Sequence, residues 1–189
     1  MAILVLPDPC LVLLVGPAGA GKSTFAGRHF AADETLSSDA MRAVVGRDEG
    51  DQDATRPAFA LLERQLGRRL AAGRLTVVDA TNVERHARRS LLRKARLAGL
   101  PVIAIVFDLP PAIVLARNQR RPTRVVDPEV VRRHVRALRR AIDRGDLESE
   151  GFAIVYRLRQ PREIDAVGIV RERGAAPGRR AVRRARRGE

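Results

Sequence analysis

The stretch LVLLVGPAGAGKST, Leu11 to Thr24, decides the fold. Leu11 to Val15 is wholly apolar, and a short apolar run ending at a glycine fits a central parallel strand buried on both faces. The next eight residues, Gly16-Pro17-Ala18-Gly19-Ala20-Gly21-Lys22-Ser23, match G-x-x-x-x-G-K-[ST] in full. Glycines at these positions let successive backbone N–H groups curl around an anion. A helix opening at Lys22 adds the positive end of its dipole. Lys22 is placed to reach the β- and γ-phosphates of a nucleoside triphosphate. The Ser23 hydroxyl is placed to sit on Mg²⁺ bridging the same phosphates, with Thr24 completing the expected nucleotide contacts. A glycine-rich turn of purely structural use is the alternative, and a strand before with a helix after argues against it.

Outward from this loop, strands alternate with helices. Strands are expected at Leu11–Val15, Glu34–Leu36, Leu75–Asp79, Pro101–Phe107 and Phe152–Tyr156. Helices are expected at Lys22–Ala31, from Ser37-Ser38-Asp39 to Val45, and at Thr55–Ala72, Glu84–Ala98, Ala112–Arg121, Pro128–Arg144 and Arg162–Val170. Pro111 and Pro128 suit first helical turns, and Gly73 and Gly99 suit helix stops. Gly46–Asp53 and Pro122–Asp127 read as loops, and Gly145–Gly151 as a turn region. The pattern predicts an α/β P-loop NTPase fold: a mostly parallel five-stranded sheet flanked by helices, with a helical lid. One domain over residues 1–173 is expected, followed by a basic, disordered tail over 174–189.

Four constellations lie outside the loop. Ser37-Ser38-Asp39-Ala40-Met41-Arg42 falls where a strand gives way to a helix, on the edge where parallel sheets bind ligands. A carboxylate there can take the proton of an incoming hydroxyl. Arg42 shares a helix face with Asp39 and can hold an anionic group of the acceptor. Asp39 could instead simply cap the helix. Val77-Val78-Asp79-Ala80-Thr81-Asn82 is an apolar strand ending in a carboxylate suited to Mg²⁺, directly or through water. Thr81 and Asn82 can bond the phosphate loop or the acceptor, and Asn82 can equally open a helix. Arg117, Arg120, Arg121 and Arg124 cluster at helical spacing before and after Pro122, where a lid can begin. Arginine suits the charge that phosphoryl transfer spreads over the γ-phosphate oxygens, though a solvated basic face would look the same. The acidic loop Asp48–Asp53 contains Gln52, a candidate acceptor contact.

Composition narrows the rest. With 45% hydrophobic and 31% charged residues, the 189-residue chain can pack a core. The net charge is +14; Arg171 to Glu189 carries +6 of it, which leaves +8 on the body and favours an anionic partner. At 3% aromatic residues, with no Trp, a base-stacking platform is not the device. All basic residues except Lys22 and Lys94 are arginines, a bias that can also come from genome composition. Cys10 is the only cysteine, so no intrachain disulfide forms and a cytoplasmic address is the default. Neither a cleavable leader nor a membrane-length apolar run is visible, so no membrane partner is expected. His29, His86 and His134 are scattered in helix-like segments and read as solvated or partly packed helix residues.

Taken in order, GPAGAGKSTFAGRHF, LSSDAMR, DEGDQDAT, GRLTVVDATNVERHAR, VIAIVFDLP, ARNQRRPTR and EGFAIVYRL resemble the 5′-hydroxyl polynucleotide kinase domain of bacterial polynucleotide kinase-phosphatases, the end-healing and sealing enzymes. The resemblance covers Leu11 to about Val170. It implies transfer of the ATP γ-phosphate to 5′-OH ends of DNA or RNA in nucleic-acid repair. It makes Asp39 the general base and Arg42 the clamp on the acceptor's 3′-phosphate. Arg117 and Arg121 then match the family's ATP-contacting arginines, and Arg124 a further basic position. Large members of the family continue into a phosphatase and a ligase module. This chain stops after the kinase-like part, so a stand-alone kinase and an excised domain are both open. A small-molecule kinase with a nucleoside, sugar or antibiotic acceptor is the second expectation, and a nucleotide-dependent switch with little chemistry the third.

Overall fold

A computed structural model describes residues 2–45, 55–121 and 125–173. The acidic loop with Gln52, the segment with Arg124 and the basic tail lie outside the described residues. The elements are β1 (Ile3–Asp8), β2 (Leu11–Val15), α1 (Lys22–His29), β3 (Thr35–Ser37), α2 (Ser38–Val45), α3 (Thr55–Ala71), β4 (Thr76–Asp79), α4 (Arg85–Leu97), β5 (Val102–Phe107), α5 (Pro111–Gln119), α6 (Pro128–Asp143), α7 (Asp146–Ser149), β6 (Ile154–Leu158), α8 (Pro161–Asp165) and β7 (Gly168–Arg173).

Five strands form the central sheet in the order β3-β4-β2-β5-β6, with every pairing parallel. All five residues of β2 are fully buried, as its unbroken apolar run requires. Alternation along the strands divides the core between the two faces. Val12, Leu14, Ile103, Ile105 and Phe107 pack with Phe25 of α1 and Val114 of α5. Leu11, Leu13, Val15, Ala104 and Val106 pack with Leu62 and Leu66 of α3 and Leu91 and Leu92 of α4. Helix α6 sends Val131 to the first cluster and Leu138 to the second. From β2 the chain builds one side of the sheet and then the other, so the carboxyl end of β2 opens into the crevice where such sheets bind ligands. Among the described residues no helix is long and apolar enough to cross a membrane.

Several expectations change. The last helix stops at Asp165 instead of Val170, and Gly168–Arg173 is a strand, β7, paired in parallel with β1. Along β1, Leu4 and Leu6 turn inward while Ile3 stays exposed, the alternation of a half-buried strand. The hydroxyl of Tyr156 on β6 ties this ribbon down: it donates to Val5 O at 2.9 Å and accepts from Val5 N–H at 3.0 Å. The turn region Gly145–Gly151 contains α7, whose Leu147 is fully buried. Helix α5 ends at Gln119, two residues before the expected Arg121, and Pro122 follows closely.

Candidate active site

The phosphate loop joins β2 to α1. Its first N–H, from Gly16, donates to Thr81 O at 2.8 Å, so the strand end of β4 supports the loop's entry. Gly19 and Gly21 have φ of +82° and +93°, in the region that disfavours side chains. Gly19 is also closely approached: a Cβ there would lie 2.4 Å from Val114 O of α5. Lys22 is buried, and its Nζ donates to Pro17 O at 2.9 Å.

A cleft of about 870 Å³ opens over the loop. Ala18, Gly19, Gly21, Lys22, Ser23 and Thr24 of the loop and α1 line it, with Asp39 and Arg42 of α2, Asp79 and Thr81 at and just after the end of β4, and Arg117 and Arg121 from α5 and the turn after it. Gly16, Pro17 and Ala20 are not among the lining residues, and Ala20 is the fully buried residue of the loop's second half. Most of the sequence-predicted set thus meets in one cavity. Gln52 and Arg124 lie outside the described residues.

Asp39 stands between two arginines. Arg42 Nη2 pairs with its Oδ1, and Arg121 Nη2 lies 3.6 Å from its Oδ2. Arg121 therefore reaches from the chain just after α5 to the candidate base on α2. Arg117 lies against the loop, its Nη1 being 3.6 Å from where a Cβ at Gly21 would stand. Asn82 is placed differently from expectation. It is buried with φ +48°, and its Nδ2 donates to Leu14 O at 2.8 Å. It does not line the cleft, and its amide holds the turn after β4 against β2.

Ser23 and Asp79 offer one hydroxyl and one carboxylate, and Asp79 is largely buried at the cleft wall. Among the described residues there is no cluster of three or more His, Cys, Asp or Glu side chains suited to a metal. Two hard oxygen donors fit Mg²⁺, which keeps several waters and takes phosphate oxygens for the rest.

Three residues at or around the site have no site role in the sequence expectations, and only His134 of them lines the cleft. Asn118, fully buried on α5, donates to Val126 O at 2.6 Å and accepts from Val126 N–H at 3.2 Å, which ties the end of α5 to the segment leading into α6. Arg88, fully buried on α4, donates to Asn82 O at 3.0 Å and Val83 O at 2.7 Å. His134 of α6, expected as a solvated or packed helix residue, lines the cleft.

Burial lowers the Lys22 ammonium from its ordinary 10.5 to about 8; Asp79 works against that shift and Arg121 adds to it. The unfolded chain then holds more protons than the fold between about pH 8 and 10.5, so this group's penalty on stability is full below pH 8 and fades as pH rises. An anionic phosphate against Lys22 restores its charge. Binding of a nucleoside triphosphate is therefore expected to take up close to one proton at about pH 9 and almost none at about pH 7. Calorimetry in two buffers of different ionisation enthalpy reads this directly, and equal uptake at both values would contradict it.

A glycine-rich cradle at the carboxyl edge of a parallel sheet, sharing its cleft with a carboxylate and the arginines at the end of α5, defines a kinase-type P-loop domain. The family model described as an AAA domain matches residues 11–144, and the chain belongs to that family. None of the curated protein sequences compared with the chain matches it. Among solved structures, the chain is similar to one in the Pnkp1/Rnl/Hen1 RNA repair complex, at 22% identity and a TM-score of 0.61 over 72% of this chain. It covers only 46% of that relative's length. It is also similar to a sugar kinase from Janibacter sp. HTCC2649, at 22% identity and a TM-score of 0.57 over 83% of this chain and 91% of the other. A gluconokinase from Sinorhizobium meliloti 1021 follows at 19% identity and a TM-score of 0.50, over 84% of this chain and 90% of the other. At these identities the likeness is one of fold.

Proposed function

We propose that the protein transfers the γ-phosphate of ATP to 5′-hydroxyl ends of DNA or RNA. The observation that carries this reading is the Asp39–Arg42 pair on the wall of the cleft whose floor is the phosphate loop. In this reading the loop and Lys22 hold the triphosphate. Asp39 takes the proton of the attacking hydroxyl. Arg42, beside it, meets the phosphate that neighbours that hydroxyl in a polynucleotide. Arg117 and Arg121 face the oxygens of the transferred group. Ser23 and Asp79 would hold Mg²⁺, which when bound neutralises charge on the β- and γ-phosphates. Arg121 has two anionic partners in the cycle, the Asp39 carboxylate before the nucleotide arrives and the γ-phosphate afterwards. The +8 charge of the body and the likeness in fold to a protein of an RNA repair complex support a polynucleotide acceptor.

A small-molecule acceptor is the second reading, favoured by the sugar kinase of the same fold, most of whose length this chain covers. Transfer of labelled γ-phosphate from ATP with Mg²⁺ to 5′-OH oligonucleotides separates the two. Label at the 5′ end is the expected result. Label on a sugar or nucleoside from a small-molecule panel, with none on DNA or RNA, would replace the first reading with the second.

A further inference from the structure

We propose that His134 is a contact for the terminal phosphate of the bound nucleotide, presenting Nε2–H as an uncharged donor beside Lys22. The inference rests on the phosphate loop binding a nucleoside triphosphate and is independent of the acceptor's identity. His134 sits on α6 between Val131 and Val135, both buried, so the helix fixes its direction. Its ring lines the same cleft as Lys22, Asp79 and Thr81.

The two ring nitrogens differ. Nδ1 is sealed from solvent and has no hydrogen-bond partner among the described residues. A hydrogen on Nδ1 would be a buried donor with nothing to bond, the costlier way to leave that atom. The neutral ring therefore keeps Nδ1 bare and carries its hydrogen on Nε2. Among the described residues no carbonyl or carboxylate fixes the tautomer through Nδ1. Nε2–H is the polar group left to meet a ligand in the cleft.

The charges that bear on the ring are those of Arg133 on its own helix, Lys22 of α1 and Glu84 before α4. Burial first, then the two cations, lowers the pKa of His134, with Glu84 opposing, so the ring stays neutral through the physiological range. Lys22 and five arginines line the cleft against four aspartates, a balance that favours an anion there. Lys22, Thr81 and His134 line one cleft, so the ring borders the space over the loop that the terminal phosphate of a bound triphosphate would enter. A neutral donor there adds a hydrogen bond without adding a third positive charge.

Calorimetry on the full chain with Mg·ADP and with the Mg²⁺ salt of the β,γ-imido analogue of ATP tests this. The two ligands differ by the terminal phosphate. His134→Ala should weaken the imido triphosphate by about tenfold or more, the worth of a hydrogen bond to a charged group, and leave ADP within about twofold. His134→Gln should keep the preference, because its amide nitrogen falls near the position of Nε2. His134→Asn should lose it, because its amide nitrogen reaches only the position of Nδ1. On the wild-type chain, the ¹⁵N signal of His134 Nε2 should move with the imido triphosphate and stay in place with ADP. Equal losses for both ligands, or no loss for either, would overturn the assignment while leaving the nucleotide site intact. A wild type that binds neither ligand would overturn the nucleotide reading itself, and this contact with it.

Discussion

Asp39→Asn is expected to slow phosphoryl transfer by at least about 10²-fold, the usual scale of a general-base contribution. The substitution keeps the size of the side chain and removes its ability to hold a proton. The competing view is that Asp39 only opens helix α2. That task belongs to another residue: Ser37, immediately before the helix, accepts the Ala40 N–H on its Oγ at 3.3 Å. Asp39 instead engages Arg42 on its own helix and Arg121 from the chain after α5. Such partly exposed pairs contribute about 0–1 kcal/mol each, so their loss should leave the fold standing. Nucleotide affinity should change little, since the phosphate loop is untouched. Steady-state transfer, nucleotide titration and thermal melting together separate the cases. Full turnover in the folded variant would remove Asp39 from the chemistry. A large drop in melting temperature with normal turnover of the folded fraction would return it to a structural role.

The parts legible in the sequence are those whose physics is local. An apolar pentad, a glycine-rich turn and a lysine at a helix start specify strand, cradle and helix within a short window, so β2, the loop and α1 could be read from it. The same holds for Val77-Val78-Asp79 and for the apolar β5. What escaped depends on pairing across the chain. β1 and β7 pair only with each other, from opposite ends of the described fold, and that pairing is their reason to be strands. Pro7 and the charges of Arg171, Glu172 and Arg173 disguised them further. His134 looks like any helical histidine until α6 is laid over the cleft. Asn82 sits beside Thr81 in sequence, yet its positive φ turns its amide toward Leu14 instead of the cavity. Arg88 is one arginine in the run Arg85, Arg88, Arg89. Only the distant Glu150 makes it the buried one.

Arg88→Met should destabilise the protein by about 3–5 kcal/mol, because it strands a buried charge. Arg88 is fully buried, and the side chain of Glu150 is 1% exposed. Nε donates to Oε2 at 2.7 Å and Nη2 to Oε1 at 2.6 Å, a bidentate pair. The remaining amino group serves the carbonyls of Asn82 and Val83. Methionine fills much of the volume and leaves the carboxylate with Arg85 alone, whose Nε is 3.7 Å away on an exposed side chain. For a domain of this size the expected fall in melting temperature is roughly 6–20 °C. Replacing both partners, Arg88→Met with Glu150→Leu, should recover much of the loss, since apolar substitution of a whole buried pair is often neutral or better. The carbonyls of Asn82 and Val83 stay unpaired in the double variant, and that distinguishes two roles for Arg88. If it serves the core alone, the double variant regains stability and nucleotide affinity together. If it also holds the turn that presents Thr81 to Gly16, stability returns while affinity for the triphosphate stays reduced. The second outcome is expected, because the Thr81 carbonyl that receives the Gly16 N–H stands next to the Asn82 peptide that Arg88 fixes. Urea unfolding and nucleotide titration on the two single variants and the double variant complete the cycle. A single-variant loss under about 1 kcal/mol would mean that the Glu150 carboxylate finds water or a proton, and that the pair is dispensable.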